Sequence, residues 1–336
     1  MSEFKGPRIV LCAVPLRLSF AGGGTDFSDF YLQEEGTVLT TTIDKFVYIT
    51  VKRHGEIFKQ QYRLNYSESE EASSLDEIQN DIIREALRLV PLDGPIYIST
   101  VGDLPASTGL GSSSAFTVGL LQALHLMRGE RITVAGLAEE ACHLEIDVLK
   151  RPIGKQDQYA TAFGGLNQFC FQRNGVVSIE PQPIPADRIR DLFDNILLLW
   201  TGIHRQSQDI LEEQKAATHA KMDDLKVMKE HCAELKLQLR EGFDPVAFGG
   251  VMDETWRYKR RLASTISTEK IDEWYDRARS AGAIGGKIAG AGGGGFLFLI
   301  VPPSRRAAVC RALPELTAVP VRYEATGTRI LIPLGH

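Results

Sequence analysis

Long hydrophobic runs are missing from this chain. The longest apolar stretch, Phe296 to Pro303, is far short of the roughly 20 residues that a membrane-crossing helix needs. Cysteine is scarce: Cys12, Cys142, Cys170, Cys232 and Cys310 are five in number, far apart and never in a CxxC pair. That pattern excludes a disulfide framework and a structural zinc site, and fits a reducing compartment. Basic charge is not in excess, with 38 Lys and Arg against 43 Asp and Glu and a net charge of −5. The short pairs Arg260-Arg261 and Arg305-Arg306 read as solvated helix faces, so no nucleic-acid partner is expected. The opening MSEFKGPRIVLCAV carries acid, proline and too short an apolar run for a secretory leader. There is no internal repeat and no low-complexity tail. A cytoplasmic protein without a membrane partner is the expectation.

What is present is an ordinary globular balance, 43% hydrophobic and 24% charged over 336 residues, enough for two domains. Arg8–Ala13, Phe46–Lys52 and Pro95–Val101 have the β-branched and aromatic content of strands. The period of Ile78, Ile82, Ala86 and Leu89 predicts an amphipathic helix over Asp76–Val90, opened by Asp76. Ser113–Met127, apolar nearly all round, reads as a buried helix. A further helix over Val134–Lys150 stops before Pro152. Strands at Leu166–Phe171 and Val176–Ile179 lead to Pro181–Pro185, three prolines in five residues and the best candidate linker. Beyond it come a strand, Ile196–Trp200, a long helical region, His204–Arg240, two more helices, and strands near Phe296–Val301, Val319–Arg322 and Arg329–Pro333.

Three glycine clusters carry the chemical information. In Gly109-Leu110-Gly111-Ser112-Ser113-Ser114 glycine and serine give way directly to the buried helix. A helix N-terminus entered this way offers unpaired N–H groups and positive dipole charge to a phosphate. The serine hydroxyls add hydrogen bonds or a Mg²⁺ ligand. No GK[ST] follows, so this is not a Walker A loop. By itself the segment is equally well a capped helix with a flexible entry. The second cluster, Gly290 to Gly295, matches GxGxxG but leads into a strand instead of a helix, which weakens a dinucleotide reading. So many glycines are entropically costly and suit close backbone approach to a ligand. The third, Gly22-Gly23-Gly24-Thr25-Asp26, ends a strand-like segment with a carboxylate able to bind sugar hydroxyls, or merely to cap a turn.

Two carboxylates stand out. Glu145 lies at the edge of an apolar stripe, where it needs a cation or hydrogen bonds: Mg²⁺ would satisfy it, as would an ion pair with Lys150 or Arg151. Asp157, in Gly154-Lys155-Gln156-Asp157-Gln158, is a catalytic base or a cap.

Together these segments resemble the GHMP kinases, the family of galactokinase, homoserine kinase, mevalonate kinase and phosphomevalonate kinase. Pro15-Leu16-Arg17 with Gly22–Asp26 resembles the first family motif. Leu104–Ala115 resembles the second and Lys287–Phe296 the third, with Glu145 and Asp157 between them in register. The resemblance implies an α+β fold in two domains. A domain like the second domain of ribosomal protein S5, residues 1–185, would hold ATP, Mg²⁺ and acceptor. A ferredoxin-like C-terminal GHMP kinase domain, residues 186–336, would follow.

It further implies that Gly109, Leu110, Gly111, Ser112, Ser113 and Ser114 wrap the ATP phosphates and that Ser113 and Glu145 ligate Mg²⁺. Asp157 would take the acceptor proton, and Arg17 would steady the transferring group. Gly23, Gly24, Thr25, Asp26, Lys155, Arg205, Gly292 and Gly293 would meet the acceptor. Galactokinases carry Gly-Glu-His-Thr-Asp where this chain has Gly22-Gly-Gly-Thr-Asp26, which removes an acid and an imidazole and leaves room for a bulkier sugar. PLRLSFAGGGTD, GKQDQYATAFGG and KIAGAGGGGF look most like D-glycero-D-manno-heptose 7-phosphate kinases, the sugar 1-kinases of GDP-heptose synthesis. A substrate phosphate calls for a cation, with Lys155, His204, Arg205 and Lys287 unranked candidates. A kinase for galactose or fucose, a mevalonate-type kinase and a catalytically silent sugar sensor stay open, as does the oligomeric state, with a homodimer considered.

Overall fold

The structure is a computed structural model describing residues 6–55, 57–204 and 207–334. Its frame is one long hairpin. β1 (Ile9–Ala21) runs antiparallel to β2 (Gly36–Arg53) along almost its whole length. Between them lies the Gly22–Asp26 turn and a short helix, α1 (Ser28–Tyr31). β3 (Tyr62–Asn65) and β4 (Ser69–Ala72) form a small hairpin. α2 (Asp81–Leu89) starts later than the periodicity predicts, because Asn80 caps it through Ile83 N–H at 3.0 Å and Asp76 falls in a separate 3₁₀ turn. β5 (Ile96–Gly102) precedes α3 (Ser112–Met127), the central helix.

Next, α4 (Val134–Cys142) passes into a π-helical turn, His143–Val148, closed by Leu149 N–H to Leu144 C=O at 2.9 Å. α5 (Gln156–Phe163) follows, a helix absent from the elements the sequence predicts. β6 (Leu166–Phe171) and β7 (Val177–Pro181) complete the larger sheet's central part. α6 (Ala186–Asp194) leads to β8 (Ile196–Trp200). The region expected to be one long helix is two, α7 (Ser207–Ala217) and α8 (Met222–Glu241), separated by a 3₁₀ turn at Thr218–Lys221. The chain ends with α9 (Pro245–Lys259), α10 (Glu269–Ala281), β9 (Gly285–Ile288), β10 (Phe296–Ile300), α11 (Pro303–Ala312), β11 (Thr317–Val319) and β12 (Arg329–Leu334).

Two sheets result. The larger has the path β12-β1-β2-β5-β3-β4, with β6 and β7 branching from β2; the smaller has the order β11-β8-β10-β9. β2 forks, pairing with β6 through residues 36–41 and with β5 through residues 47–53. α3 lies on β1 and β2, and Gly119 permits the approach: a Cβ there would stand 2.5 Å from Ile49 and 2.6 Å from Val14. This is the two-domain α+β architecture expected. β12 returns to pair with β1, so the C-terminal strand belongs to the larger sheet. Among the described residues no helix is long and apolar enough to cross a membrane.

The two sheets meet through aromatic packing. Phe20 of β1, fully buried, sits edge-on to Phe248 of α9 at 5.4 Å and 5.7 Å from Phe298 of β10. Phe20→Ala is expected to cost about 3–5 kcal/mol, read as a lower urea midpoint. A loss under about 1 kcal/mol would show that the sheets do not depend on this contact.

Candidate active site

A cleft of about 720 Å³ opens between the glycine-rich segments. Its central feature is Arg17, 3% exposed on β1. Its Nε and Nη2 donate to the two oxygens of Asp157, each at 2.8 Å, and Nη1 donates to the Gly109 carbonyl at 2.6 Å. The Arg17 backbone N–H donates to the Leu110 carbonyl at 3.0 Å. Asp157 stands in the first turn of α5, where the helix dipole favours a negative charge.

Across from this pair is the N-terminus of α3, entered through Gly111 at φ +79°. Gly109, Gly111 and Ser112–Ser114 line the cleft. Leu110 does not: it is buried, and its contribution is the carbonyl held by Arg17. Ser112 Oγ accepts from Ser107 N–H at 3.3 Å.

Glu145 projects from the π-helical turn and is fully buried. Inserting a residue into the helical turn re-aims the side chain toward the cleft. It accepts from Ser113 Oγ at 3.1 Å, Arg151 Nη1 at 3.3 Å and Gln158 Nε2 at 2.7 Å. Burial nonetheless holds its carboxyl above the usual range, opposed first by Arg151. The neighbours present thus undercompensate this charge. A hydroxyl and an undercompensated carboxylate beside the N-terminus of α3 fit Mg²⁺, which takes one or two carboxylates and completes its shell with phosphate and water oxygens. Among the described residues no cluster of three or more His, Cys, Asp or Glu offers a fuller protein-only site. Both readings open for Glu145 therefore meet here: Arg151 also donates to Ser113 Oγ at 2.8 Å and is held by Asp81 at 3.0 and 3.2 Å.

Asp26 is buried, accepting from the N–H groups of Gly24 at 2.8 Å and Gln156 at 3.2 Å. Gly154 is obligatory there, since a Cβ would lie 2.0 Å from the Asp26 carboxylate. Gly23 and Gly24 line the cleft.

Several expected acceptor contacts are elsewhere. Thr25 is a strut, its hydroxyl donating toward Gly22 and Thr37 carbonyls and accepting from Thr37 N–H. Lys155 turns away to the Gly175 carbonyl at 2.9 Å and Glu139 at 3.4 Å. Gly292 and Gly293 pack on Ile266, whose carbonyl takes the Gly293 N–H at 2.8 Å. His204 lies against the Trp200 ring, and Arg205 lies outside the described residues.

The last glycine cluster is close to another backbone: a Cβ on Gly290 would meet Gly109 Cα at 2.5 Å, and one on Gly295 the Thr108 carbonyl at 2.3 Å. The residue sequence reasoning missed is Lys259, which lines the cleft from α9. Its signal is a lysine on the face that also carries Met252, Thr255 and Trp256, all buried. Lys287, one of the unranked cations, lines the cleft as well.

The chain matches the family models described as GHMP kinases N terminal domain, over residues 78–165, and GHMP kinases C terminal, over residues 236–318. It is 30% identical over 318 residues to a D-glycero-alpha-D-manno-heptose 7-phosphate kinase of Campylobacter jejuni, covering 89% of this chain and 91% of that one. A galactokinase of Pyrococcus furiosus is 25% identical, with 85% and 87% covered. A crystal structure described as a D-glycero-D-manno-heptose 1-phosphate kinase from Bacteroides thetaiotaomicron superposes with a TM-score of 0.79 at 25% identity, covering 96% and 99%.

Burial pushes the Asp26 carboxyl up to about 6, with the Asp157 charge adding and the Gly24 and Gln156 N–H groups opposing. The folded state therefore keeps a proton that the unfolded chain releases. That contribution is favourable at acid pH and is lost as pH rises through about 6. Relative to the parent, Asp26→Asn should gain about 2 kcal/mol of stability on going from about pH 4.5 to about pH 7.5. Parallel stability–pH curves from denaturant titrations would contradict this.

Proposed function

The chain belongs to the GHMP kinases, ATP- and Mg²⁺-dependent phosphotransferases, and on that premise we propose that it phosphorylates the anomeric hydroxyl of D-glycero-D-manno-heptose 7-phosphate to give the 1,7-bisphosphate. The observation that carries the reading is the bidentate Arg17–Asp157 pair facing the α3 N-terminus. The acceptor is supported by the Campylobacter jejuni relative and by Gly23 and Gly24, which leave the turn beside Asp26 without side chains.

In this reading Asp157 accepts the hydroxyl proton, helped by the acidity of an anomeric hydroxyl. Both its oxygens keep lone pairs free of Arg17. Arg17 holds that carboxylate in place and offers positive charge to the phosphoryl group in flight. The N–H groups and hydroxyls of Ser112–Ser114 bind phosphate oxygens. Ser113 and Glu145 hold Mg²⁺, which when bound neutralises charge on the phosphates. Asp26 takes sugar hydroxyls. We assign nucleotide, metal and sugar hydroxyls to residues 1–185, with the remainder of the chain closing the cleft. A second reading, an unphosphorylated sugar acceptor, is favoured by the galactokinase relative.

ADP release should be followed with Mg-ATP against heptose 7-phosphate, galactose, fucose, mannose and mevalonate. Turnover confined to the heptose phosphate is expected. Asp157→Ala should lower kcat about 10³-fold and leave nucleotide affinity within about twofold. Turnover on an unphosphorylated sugar alone would overturn the acceptor. Parental turnover by Asp157→Ala would remove that carboxylate from the chemistry.

A further inference from the structure

Four cations line the cleft, Arg17, Arg151, Lys259 and Lys287, and among the described residues only the two arginines have counter-ions, Arg151 in Asp81 and Glu145. Arg17 is matched by Asp157. Lys259, buried at the end of α9, gives its Nζ to the carbonyls of Ile288, at 3.2 Å, and Gly290. An ammonium has three donors, so one remains.

Lys287, 4% exposed on β9, meets no hydrogen-bond acceptor among the described residues. The charged groups acting on it are Lys259 and Arg17, both cations; only the Cys232 thiol acts the other way, and no carboxylate is among them. Burial and these cations hold its pKa well below the ordinary lysine value, and burial brings Lys259 down to about 7. An ammonium buried without a partner costs several kcal/mol, roughly, where leucine or methionine would pack at no such cost. A fold that keeps one such lysine against a cleft, with a second buried lysine beside it that has a donor to spare, is completed by an anion.

The position says which anion. On β9 Lys287 stands opposite Phe298 of β10, and Phe298 packs at 5.7 Å on Phe20, just before the acceptor turn. The Cys232 thiol lies against that same turn, donating to the Thr37 carbonyl at 3.4 Å and standing 2.7 Å from where a Cβ on Gly22 would be. Gly22 opens the turn that carries Asp26, whose carboxylate accepts from Gly24 N–H, while Arg17 reaches the α3 entry through the Gly109 carbonyl. Lys287 is therefore under the acceptor end of the cleft.

We propose that Lys287, with the free donor of Lys259 beside it, binds the phosphate monoester of the acceptor, so that the substrate class is a sugar already phosphorylated at the end remote from its reacting hydroxyl. This rests on the kinase reading of the cleft and gives that reading its specificity element. The ligand's dianion supplies acceptors to Lys287 and to the one donor that Lys259 has left. A neutral sugar would leave the two cations unmatched, and this discriminates more strongly than any apolar contact.

The test uses inorganic phosphate as probe and needs no turnover. Calorimetric titration of the whole protein saturated with Mg-ADP should show phosphate binding, and Lys287→Met should weaken it at least about 10-fold. Mg-ADP affinity should stay within about twofold. Lys259→Met should weaken phosphate in the same direction, an independent check should the first variant fold poorly. Lys287→Met is itself expected to melt higher than the parent without phosphate, because the unmatched cation is gone.

Parental phosphate affinity in both variants would overturn the assignment. So would loss of phosphate binding whenever Mg-ADP is present, which would give the lysines to the nucleotide. Turnover of heptose 7-phosphate is scored separately. Its absence beside intact, Lys287-dependent phosphate binding sinks the named acceptor and leaves the anion site. Normal turnover with a phosphate-indifferent Lys287 does the reverse.

Discussion

One guanidinium organises the cleft. Arg17 grips Asp157 with two parallel hydrogen bonds, takes the Gly109 carbonyl with its remaining arm, and offers its backbone N–H to Leu110. Strand β1, the start of α5 and the loop into α3 are thereby fixed against one another. A lysine could not do this, because the fork geometry of arginine is what allows simultaneous bidentate and lateral bonding. The pair is almost wholly desolvated on the arginine side and a quarter exposed on the carboxylate side. The carboxylate thus keeps access to the cleft while its position is held from behind.

Around this pair the backbone itself is the packing material. The Gly109 loop and the Gly290 loop approach so closely that neither tolerates a Cβ, and Gly154 makes way for the Asp26 carboxylate. Glycine's entropic cost at these places is offset by bringing three loops to one point. Charge is arranged as unevenly as shape. Asp157 is balanced by Arg17, while Arg151 is shared between Asp81 and Glu145 and leaves the buried Glu145 undercompensated. Among the described residues Lys259 and Lys287 have no carboxylate partner.

Much of this was legible in the residues. The buried helix and its glycine-serine entry follow from composition, whereas bringing Glu145 to Ser113 and Asp157 to Arg17 is what the resemblance to the GHMP kinases implied. Asp26 was legible too, though not the carboxyl's burial. The misplacements have physical causes. Thr25 and Lys155 sit next to residues that line the cleft, but proximity in the chain does not set side-chain direction, and both turn to backbone carbonyls. Gly292 and Gly293 were credited with ligand contact because a glycine run does not reveal what it approaches; here it approaches the Ile266 carbonyl and the neighbouring loop. α5 escaped notice because the apolar run at Tyr159–Ala162 hides its period. Lys259 was missed because a lysine in a charged helix is ordinarily solvated. Only its phase relative to Trp256 and Met252 gives it away.

Since the account depends on Arg17 and Asp157 acting as one unit, the most direct measurement is a double-mutant cycle on kcat/KM with Arg17→Met, Asp157→Asn and the combined variant. If the guanidinium works largely through the carboxylate it holds, each single change is expected to lower kcat/KM by about 10²-fold or more, and the double variant should be little worse than the poorer single. Losses that multiply across the cycle would show two independent contributions and contradict the pair as the organising element.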